Sequence, residues 1–342
     1  MSSSERVRLI ERVVDESVGL GILEPLIADQ TVTEIMVNGT GSIFVERTGR
    51  LERLPQGFSS EEEIYRTIDR IVSSVNRRVD ESSPMVDARL AGGERVNVII
   101  PPLALDGPTI TIRRFPQPFR LNDLVTRKSL PSDAANLLMS MVRARLNILV
   151  SGGTGTGKTT FLNALSGAIP EAERILTIAD AAELSLQQSH VVRMEARPAN
   201  SEGKGQVTIR DLVRNALRMR PDRIVLGECR GAEVRDVLSA LNTGHEGGWA
   251  TVHANSAADV PARLVALGAL AGMGESVVAA QASSALDAVL HIERSGSRRR
   301  LSQIAVLERE AGELHAQVAL ECARQTAVKG PGWLRLAERI GV

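Results

Sequence analysis

The sequence predicts an α/β protein in which a smaller α+β domain precedes a larger domain built on a mostly parallel sheet. Its 342 residues are enough for two domains of roughly 100–200 residues each. Short strands and turn residues fill the first third of the chain, up to a break at Pro116-Gln117-Pro118. Beyond that break, near-continuous apolar strands alternate with helices, a pattern typical of a parallel sheet covered on both faces.

In the first domain, turn signals at Asn38-Gly39 and Thr48-Gly49 separate short strands. A serine and glutamate run at 59–63 resembles a capping box and predicts a helix that ends near Asn76. The predicted strands cover 33–39, 42–54, 85–90, 95–102 and 109–115. Apolar residues at helical spacing near the N-terminus predict one more helix. The predicted segments are therefore an N-terminal helix at 1–22, an α+β domain at 23–115 and a linker at 116–130.

The second domain is predicted at 131–325, where strands and helices alternate. Helices are expected at 121–125, 132–144, 158–168, 208–219 and 276–286, and strands at 147–152, 174–180, 190–195, 223–228 and 248–253. Residues 288–308 predict a hairpin that turns at Ser295-Gly296-Ser297, followed by a strand at 313–321. Residues 326–342 are predicted to form a tail.

Composition restricts the classes of function. The 41 basic and 41 acidic residues give no net charge, which argues against a strongly basic surface for nucleic acid. The two cysteines, Cys229 and Cys322, lack metal-ligand spacing and predict no disulfide framework. The most apolar stretch, Leu264–Met273, has about half the length of a membrane span. We therefore expect a cytoplasmic protein without a transmembrane segment.

A phosphate-binding loop is the most specific motif in the chain. Gly152, Gly157, Lys158 and Thr159 match the pattern G-x-x-x-x-G-K-[ST] between an apolar strand and an amphipathic helix. Glycines let backbone N–H groups turn toward phosphate oxygens, the helix dipole adds positive charge, and the lysine reaches the β- and γ-phosphates. The expected nucleotide-binding residues are Gly152, Gly153, Thr154, Gly155, Thr156, Gly157, Lys158, Thr159 and Thr160.

Carboxylates follow two of the predicted parallel strands, at the edge where ligands bind in such sheets. Glu228 ends the strand 223–228, where it could complete a magnesium shell with the Thr159 hydroxyl, directly or through water, or orient the attacking water. Asp180 and Glu183 follow the strand 174–180. The residues alone favour a non-catalytic interpretation, in which Asp180 caps the next turn and Glu183 is an exposed helix position.

Histidines and arginines supply further candidates. His253 ends the strand 248–253, where it could sense phosphate across the sheet; without paired ligands, a metal site there is disfavoured. Arg113 and Arg114 end the last strand of the first domain. Guanidinium groups near a γ-phosphate commonly neutralise transition-state charge, although a solvated strand edge is the alternative. The run 298–300 beside the hairpin turn is expected to be solvated.

Taken together, these segments resemble the secretion ATPase superfamily of type II and type IV secretion and pilus systems. The resemblance extends over roughly 23–308 and is greatest to the CpaF/TadA branch, which powers tight-adherence pili. In the first domain it depends on 31–39, 84–90 and 92–115. In the second it depends on SGGTGTGKTT, LTIADAAEL, RPDRIVLGECRGAE and TGHEGGWATVHANS, in that order.

The resemblance implies a RecA-like second domain, ATP and Mg²⁺ as cofactors, and a hexameric ring with nucleotide held between the two domains. It implies that Glu183 is the general base, Glu228 the Walker B glutamate and His253 part of the His box, and it makes Arg113 and Arg114 candidate sensors. The implied partner is an inner-membrane platform of a pilus or secretion system. The chain would contact the membrane peripherally, through that partner, and would not bind nucleic acid directly.

The sequence departs from the family pattern at two places, and two alternatives to a secretion motor stay open. Ala179 replaces the first glutamate of the Asp box, and Gly248-Trp249 replace the last two residues of the His box. A nucleotide-gated scaffold with little turnover is therefore one alternative to a motor. A DNA motor is the other, although the neutral charge and an aromatic content of 2% disfavour it.

Overall fold

The computed structural model describes residues 19–341 apart from 48–49, 74–76, 115–118, 181–183, 198, 200–202, 297 and 324–325. Most of the predicted N-terminal helix, the break at 116–118 and Glu183 lie outside the described residues. The chain divides into two compact units, residues 1–117 and 118–342. The predicted α/β class is confirmed, because each unit is built on one large sheet with helices.

Unit 1 contains a six-stranded antiparallel sheet in the order β3-β2-β1-β6-β5-β4. Its elements are α1 (Glu24–Ala28), β1 (Val32–Asn38), β2 (Ser42–Arg47), β3 (Arg50–Arg53), α2 (Glu61–Ser73), β4 (Met85–Arg89), β5 (Arg95–Ile99) and β6 (Thr109–Arg113). Residues alternate along the inner strands, so that Ile110 and Ile112 are buried while Arg113 is exposed. The apolar stripe of α2, which includes Ile64, Ile68 and Ile71, belongs to the same core.

Unit 2 contains a nine-stranded sheet in the order β15-β14-β13-β12-β7-β11-β10-β8-β9. The strands are β7 (Ile148–Ser151), β8 (Ile175–Ala179), β9 (Val191–Glu195), β10 (Arg223–Leu226), β11 (Trp249–Val252), β12 (Ala288–Ser295), β13 (Arg298–Glu310), β14 (Glu313–Ala323) and β15 (Thr326–Lys329). Pairing is parallel from β12 to β9 and antiparallel from β12 to β15. The hairpin predicted at 288–308 is therefore present.

Helices cover both faces of this sheet. They are α3 (Leu121–Thr126), α4 (Ser132–Arg143), α5 (Lys158–Ser166), α6 (Ile209–Ala216), α7 (Glu233–Leu241), α8 (Val260–Leu270), α9 (Glu275–Ala285) and α10 (Trp333–Ile340). Ile148 and Val150 of β7 belong to one hydrophobic core, whereas Leu149 belongs to the other. The central strand is thus buried on both faces, as its unbroken apolar sequence predicts.

Two segments differ from the sequence-based boundaries. Residues 326–341, predicted as a tail, form β15 and α10 and belong to unit 2, because β15 pairs with β14 and Leu336 is fully buried. Residues 121–130, predicted as the end of the linker, also belong to unit 2, since Leu121, Leu124 and Leu130 enter its core. Within the described residues no single helix meets the length and hydropathy of a membrane span; α8 and α9 meet them jointly, but bend by 120°.

A buried ion pair holds the start of β10. Arg223 is fully buried, and its Nε lies 2.5 Å from Glu173 Oε2 while Nη2 donates to the Val142 carbonyl at 2.9 Å. The other carboxylate oxygen of Glu173 lies 3.2 Å from Arg145 Nη1. This carboxylate therefore compensates a charge that has no access to water.

We expect Glu173→Gln to lower the free energy of unfolding of unit 2 by about 3 kcal/mol, because it leaves the Arg223 charge buried without a counter-ion. Urea unfolding followed by tryptophan fluorescence measures this, since both tryptophans, Trp249 and Trp333, lie in unit 2. Glu171→Gln, at an exposed carboxylate two residues earlier, is the matched control and should change stability by less than about 0.5 kcal/mol. Equal stability of the two variants would contradict the prediction.

Candidate functional site

The loop between β7 and α5 has the conformation that its glycines allow. Gly155 and Gly157 have φ angles of 71° and 89°, in the left-handed region that favours glycine. A Cβ atom on Gly152 would lie 2.4 Å from the Ile292 carbonyl oxygen, so this position also requires glycine. Thr156 closes the loop internally, since its hydroxyl donates to the Gly153 carbonyl at 2.9 Å. Thr156 therefore braces the loop.

The loop holds its lysine inside. Only 7% of Lys158 is exposed, and its Nζ donates to the Gly152 and Gly153 carbonyls at 3.0 Å each. The helix α5 begins at Lys158 without a side-chain cap, which leaves its first N–H groups available for an anion. A glycine-lined loop, a buried ammonium and an uncapped helix N-terminus fit a nucleotide phosphate. Thr159 stands in the first turn of the same helix, where its hydroxyl suits Mg²⁺.

Parallel pairing of β10, β11 and β7 brings three predicted residues together. His253 follows β11, and its Nε2 lies 2.9 Å from Glu228 Oε1 and 3.3 Å from Lys158 Nζ. A hydrogen on Nε2 would donate to Glu228, leaving Nδ1 to accept from Lys158 at 3.5 Å. Glu228, His253 and Lys158 therefore form one row at the carboxyl edge of the sheet, as the motif spacing implied.

The charges in this row are set by burial and by neighbours. Burial alone would raise the pKa of Glu228, but the hydrogen bond from Arg230 and the adjacent cationic groups outweigh it, so the pKa lies below its ordinary value. Burial, reinforced by the charge of Lys158, holds the pKa of His253 below its ordinary value of 6.5. At pH 7 the row therefore contains an ionised carboxylate and a neutral imidazole.

Arg230 is a site residue that the sequence analysis missed. Its Nε and Nη2 each lie 2.8 Å from one oxygen of Glu228, and its Nη1 lies 4.0 Å from Asp180 Oδ2. Asp180 is thereby connected to Glu228 through one guanidinium group. The signal was an arginine two residues after the strand-end glutamate, but a charged loop residue has no periodicity that would mark it.

The remaining predicted residues are placed as follows. Ala179 is buried, and a Cβ atom added to Gly227 would lie 2.9 Å from the Cβ atom of Ala179. These two small residues therefore allow β8 and β10 to approach each other closely. Arg113 and Arg114 belong to unit 1, where Arg113 Nε lies 3.2 Å from Glu34 Oε1 and Arg114 Nη1 donates to the Val32 carbonyl. Their role as sensors stays a prediction, as does the role of Glu183.

A buried histidine supports the loop from below. His291 of β12 lies beside Ser151, the last residue of β7, with Nδ1 2.9 Å from the serine Oγ. Its ring also hydrogen-bonds the backbone of Asn255, two residues after His253. Burial lowers the pKa of His291, while Glu293 and Asp259 act in the opposite direction and Lys158 in the same one. This neutral imidazole joins the base of the loop to the His box.

The lowered pKa of His291 predicts a pH-dependent stability. Below pH 6.5 the unfolded chain binds a proton that the folded one resists, so stability falls as pH decreases, by at most about 1.4 kcal/mol per pH unit. We expect His291→Gln to reduce the loss of unfolding free energy between pH 7.5 and 5.5, as followed by tryptophan fluorescence. His253→Gln is the comparison, because it removes a less buried histidine whose pKa is also lowered. An unchanged difference between the two pH values in His291→Gln would refute the assignment.

One residue of the basic run at 298–300 also contacts the loop. Arg298 and Arg299 are exposed, as expected for a solvated run. Arg299 Nε nevertheless donates to the Gly155 carbonyl at 3.0 Å, whereas Arg300 Nε pairs with Glu293 at 2.6 Å. The hairpin therefore places Arg299 against a loop 144 residues earlier in the chain, which the sequence did not predict.

Comparisons with known proteins bear on the whole chain. The family model described as type II/IV secretion system protein matches residues 16–334. A Mycobacterium tuberculosis protein, whose name assigns it provisionally to conjugal transfer, is 44% identical over 309 residues, 88% of each chain. The conjugal transfer protein TrbB of Rhizobium radiobacter is 33% identical over 82% of this chain and 85% of its own. The type IV secretion system protein PtlH of Bordetella pertussis is 33% identical over 83% and 93%.

Solved structures give the same fold. The pilus retraction motor PilT with bound ADP matches with a TM-score of 0.61, at 21% identity, over 94% of this chain and 86% of that one. The ATPase DotB of Legionella pneumophila matches with a TM-score of 0.56, at 22% identity, over 86% and 78%. These likenesses confirm the predicted fold, a RecA-like P-loop domain preceded by a smaller α+β domain.

Proposed function

Because the chain belongs to the type II/IV secretion system protein family, we propose that it binds ATP with Mg²⁺ and hydrolyses it to ADP and phosphate. The observation that carries the proposal is the row of Lys158, His253 and Glu228 directly beside a loop shaped for phosphate. The PilT structure, which was solved with ADP, supports nucleotide as the ligand of this fold. Thr159 and Glu228 would hold magnesium, directly or through water, and the ion would supply positive charge that offsets the negative charge of the phosphates.

In the binding step, phosphate oxygens compete with the Gly152 and Gly153 carbonyls for the Lys158 ammonium. The ammonium is already desolvated and oriented, so little ordering is needed when an anion arrives. Backbone N–H groups at the start of α5 donate hydrogen bonds to the phosphates, and the positive end of the helix dipole attracts the same negative charge. The loop therefore exchanges internal hydrogen bonds for bonds to the nucleotide.

In the hydrolytic step, Glu228 positions the attacking water or the magnesium shell, and His253 connects that carboxylate to the phosphate side through Lys158. Glu228 is ionised at pH 7, as either task requires. Glu183, which the family resemblance makes the general base, would act from the segment that follows β8 in the sequence. Arg113 and Arg114 would add positive charge from unit 1.

We further propose that the protein works as a ring, a hexamer by family resemblance, and converts hydrolysis into motion at an inner-membrane platform of a pilus or secretion system. The names of PtlH and TrbB connect those relatives to type IV secretion and conjugal transfer. Assignment to the tight-adherence branch depends on the sequence boxes alone. The protein would then be cytoplasmic and peripheral to the membrane through its partner.

Phosphate release from ATP by the purified chain tests the central proposal. We expect turnover that requires Mg²⁺ and stops with a chelator. A rate no higher with Mg²⁺ than without it, in protein that unfolds cooperatively, would exclude hydrolysis and favour a nucleotide-gated scaffold. Mass measurement with and without nucleotide tests the ring independently, because a monomer under both conditions would contradict it.

A further inference from the structure

The hairpin of β12 and β13 presents two arginines to the phosphate loop. Arg294 and Arg299 are directly opposite each other in the antiparallel register, so their side chains leave the same face of the hairpin. Arg299 Nε donates to the Gly155 carbonyl at 3.0 Å, and its Cδ is 3.2 Å from where a Cβ on Gly157 would stand. Arg294 Nη1 lies 3.9 Å from the corresponding point on Gly155. Both side chains therefore border the loop.

The pair carries two like charges that the hairpin itself does not compensate. Like charges directly opposite in a cross-strand pair repel each other, although solvent screens the repulsion because both side chains are exposed. Among the described residues, no carboxylate lies within ion-pair distance of Arg294 or Arg299. The adjacent register position is different, since Glu293 opposes Arg300 and pairs with it. The hairpin thus compensates the charge at one position and leaves a double positive charge at the next, on the face toward the loop.

Both guanidinium groups are held by their Nε atoms. Arg294 Nε donates to the Gly296 carbonyl at 3.0 Å, as Arg299 Nε does to Gly155. Each group therefore keeps its two terminal nitrogens for another acceptor while its position is fixed. A guanidinium held in this way suits a phosphate, which accepts two parallel hydrogen bonds.

The sheet order identifies which part of a nucleotide would lie here. β12 borders β7 on one side, whereas β11 and β10, which carry His253 and Glu228, lie on the other. Glu228 and His253 mark the end where the terminal phosphate reacts. The arginine pair is on the opposite side of the loop, and a nucleotide whose terminal phosphate lies beside Glu228 and His253 would extend its nucleoside end in that direction.

We propose that Arg294 and Arg299 form a clamp for the phosphate nearest the nucleoside, so that the hairpin binds the α-phosphate while β10 and β11 act on the γ-phosphate. The inference rests on the proposed nucleotide site and adds two binding residues to it. The repulsion between the two arginines disappears when the anion enters between them. Nucleotide binding therefore also stabilises the hairpin.

Calorimetric titration of the full chain with Mg-ADP and with a non-hydrolysable Mg-ATP analogue tests the clamp. Arg299→Gln should weaken binding of both ligands by about tenfold, since each contains the α-phosphate. Arg299→Lys should recover less than half of this loss in free energy, because one ammonium cannot hold the loop and form a two-pronged phosphate contact. Arg298→Gln, one residue away on the opposite face, should change either affinity less than about twofold.

The melting temperature without nucleotide distinguishes a phosphate-binding role of Arg299 from a purely structural role. Removal of one of two repelling arginines should leave this temperature unchanged or raise it. A lower melting temperature with unchanged affinities would make Arg299 a structural brace and overturn the proposal, and so would a loss confined to the ATP analogue or equal effects of Arg298→Gln. Failure of the unsubstituted chain to bind either ligand would instead refute the nucleotide site itself.

Discussion

Lys158→Ala is expected to lower the rate of ATP hydrolysis at least about a hundredfold, which is the scale of losing one preorganised charge at a reacting phosphate. The ammonium stands inside the loop, bonded to two loop carbonyls and 3.3 Å from His253 Nε2. Its removal takes away both the charge that phosphate meets and the donor that orients it. Phosphate release at saturating Mg-ATP measures the loss.

Stability distinguishes this effect from misfolding. A nearly buried ammonium is costly to desolvate, and alanine is the better helix former at the start of α5. We therefore expect the melting temperature of Lys158→Ala without nucleotide to equal or exceed that of the unsubstituted chain, while the shift caused by Mg-ATP disappears. Lys128→Ala, at an exposed lysine of unit 2, should retain both the rate and the shift. A Lys158→Ala rate within threefold of the original would refute the assigned role.

The sequence predicted those parts of the molecule whose signals are local. The P-loop was found because glycines, lysine and threonine recur at fixed spacing between a strand and a helix, and this context is contiguous. The strand ends that carry Glu228 and His253 were predicted because parallel strands share one ligand-binding edge. In each case the relevant neighbours are set by a short stretch of chain.

Helices whose exposed face is apolar were harder to predict. The buried residues of α8, which include Val260, Leu264 and Leu267, lie on one face of the helix. Its exposed positions are apolar too, since they are occupied by Ala262, Ala266, Ala269 and Leu270. Such a helix lacks the polar face from which a period of 3.6 is detected. The helix α10 was missed for another reason, because the glycine and proline turn before it resembles the start of a tail. The burial of Leu336 depends on packing of α10 against β14, which the local sequence does not show.

Contacts between side chains that are far apart in the sequence could not be predicted, for the same physical reason. Arg223 and Glu173 are 50 residues apart, and Arg299 contacts Gly155 across 144 residues. A run of arginines beside a turn has the same composition whether it is solvated or placed against a phosphate loop. Only the sheet order, with β12 between β13 and β7, decides which face meets the loop.

Glu228→Gln is expected to lower turnover at least about a hundredfold while ATP binding is retained, because this carboxylate is needed for the reaction and not for the phosphate cradle. The substitution keeps the shape and one oxygen, so Arg230 and His253 keep part of their contacts. It removes the negative charge that magnesium or water would meet. The variant should therefore accumulate in the ATP-bound state.

Two measurements separate this outcome from loss of the site. Calorimetric titration with Mg-ATP should give an affinity within about threefold of the original, since Lys158 and the N-terminus of α5 are untouched. Phosphate release should fall to the background level set by Lys158→Ala. Glu246→Gln is the control, because that exposed carboxylate precedes β11 at the edge of the sheet away from the loop.

Full turnover in Glu228→Gln would mean that water is positioned elsewhere, and Glu183 would then be the carboxylate to test. A joint loss of binding and turnover would instead place Glu228 in nucleotide binding, because the ion pair with Arg230 would then hold the phosphate side of the site together.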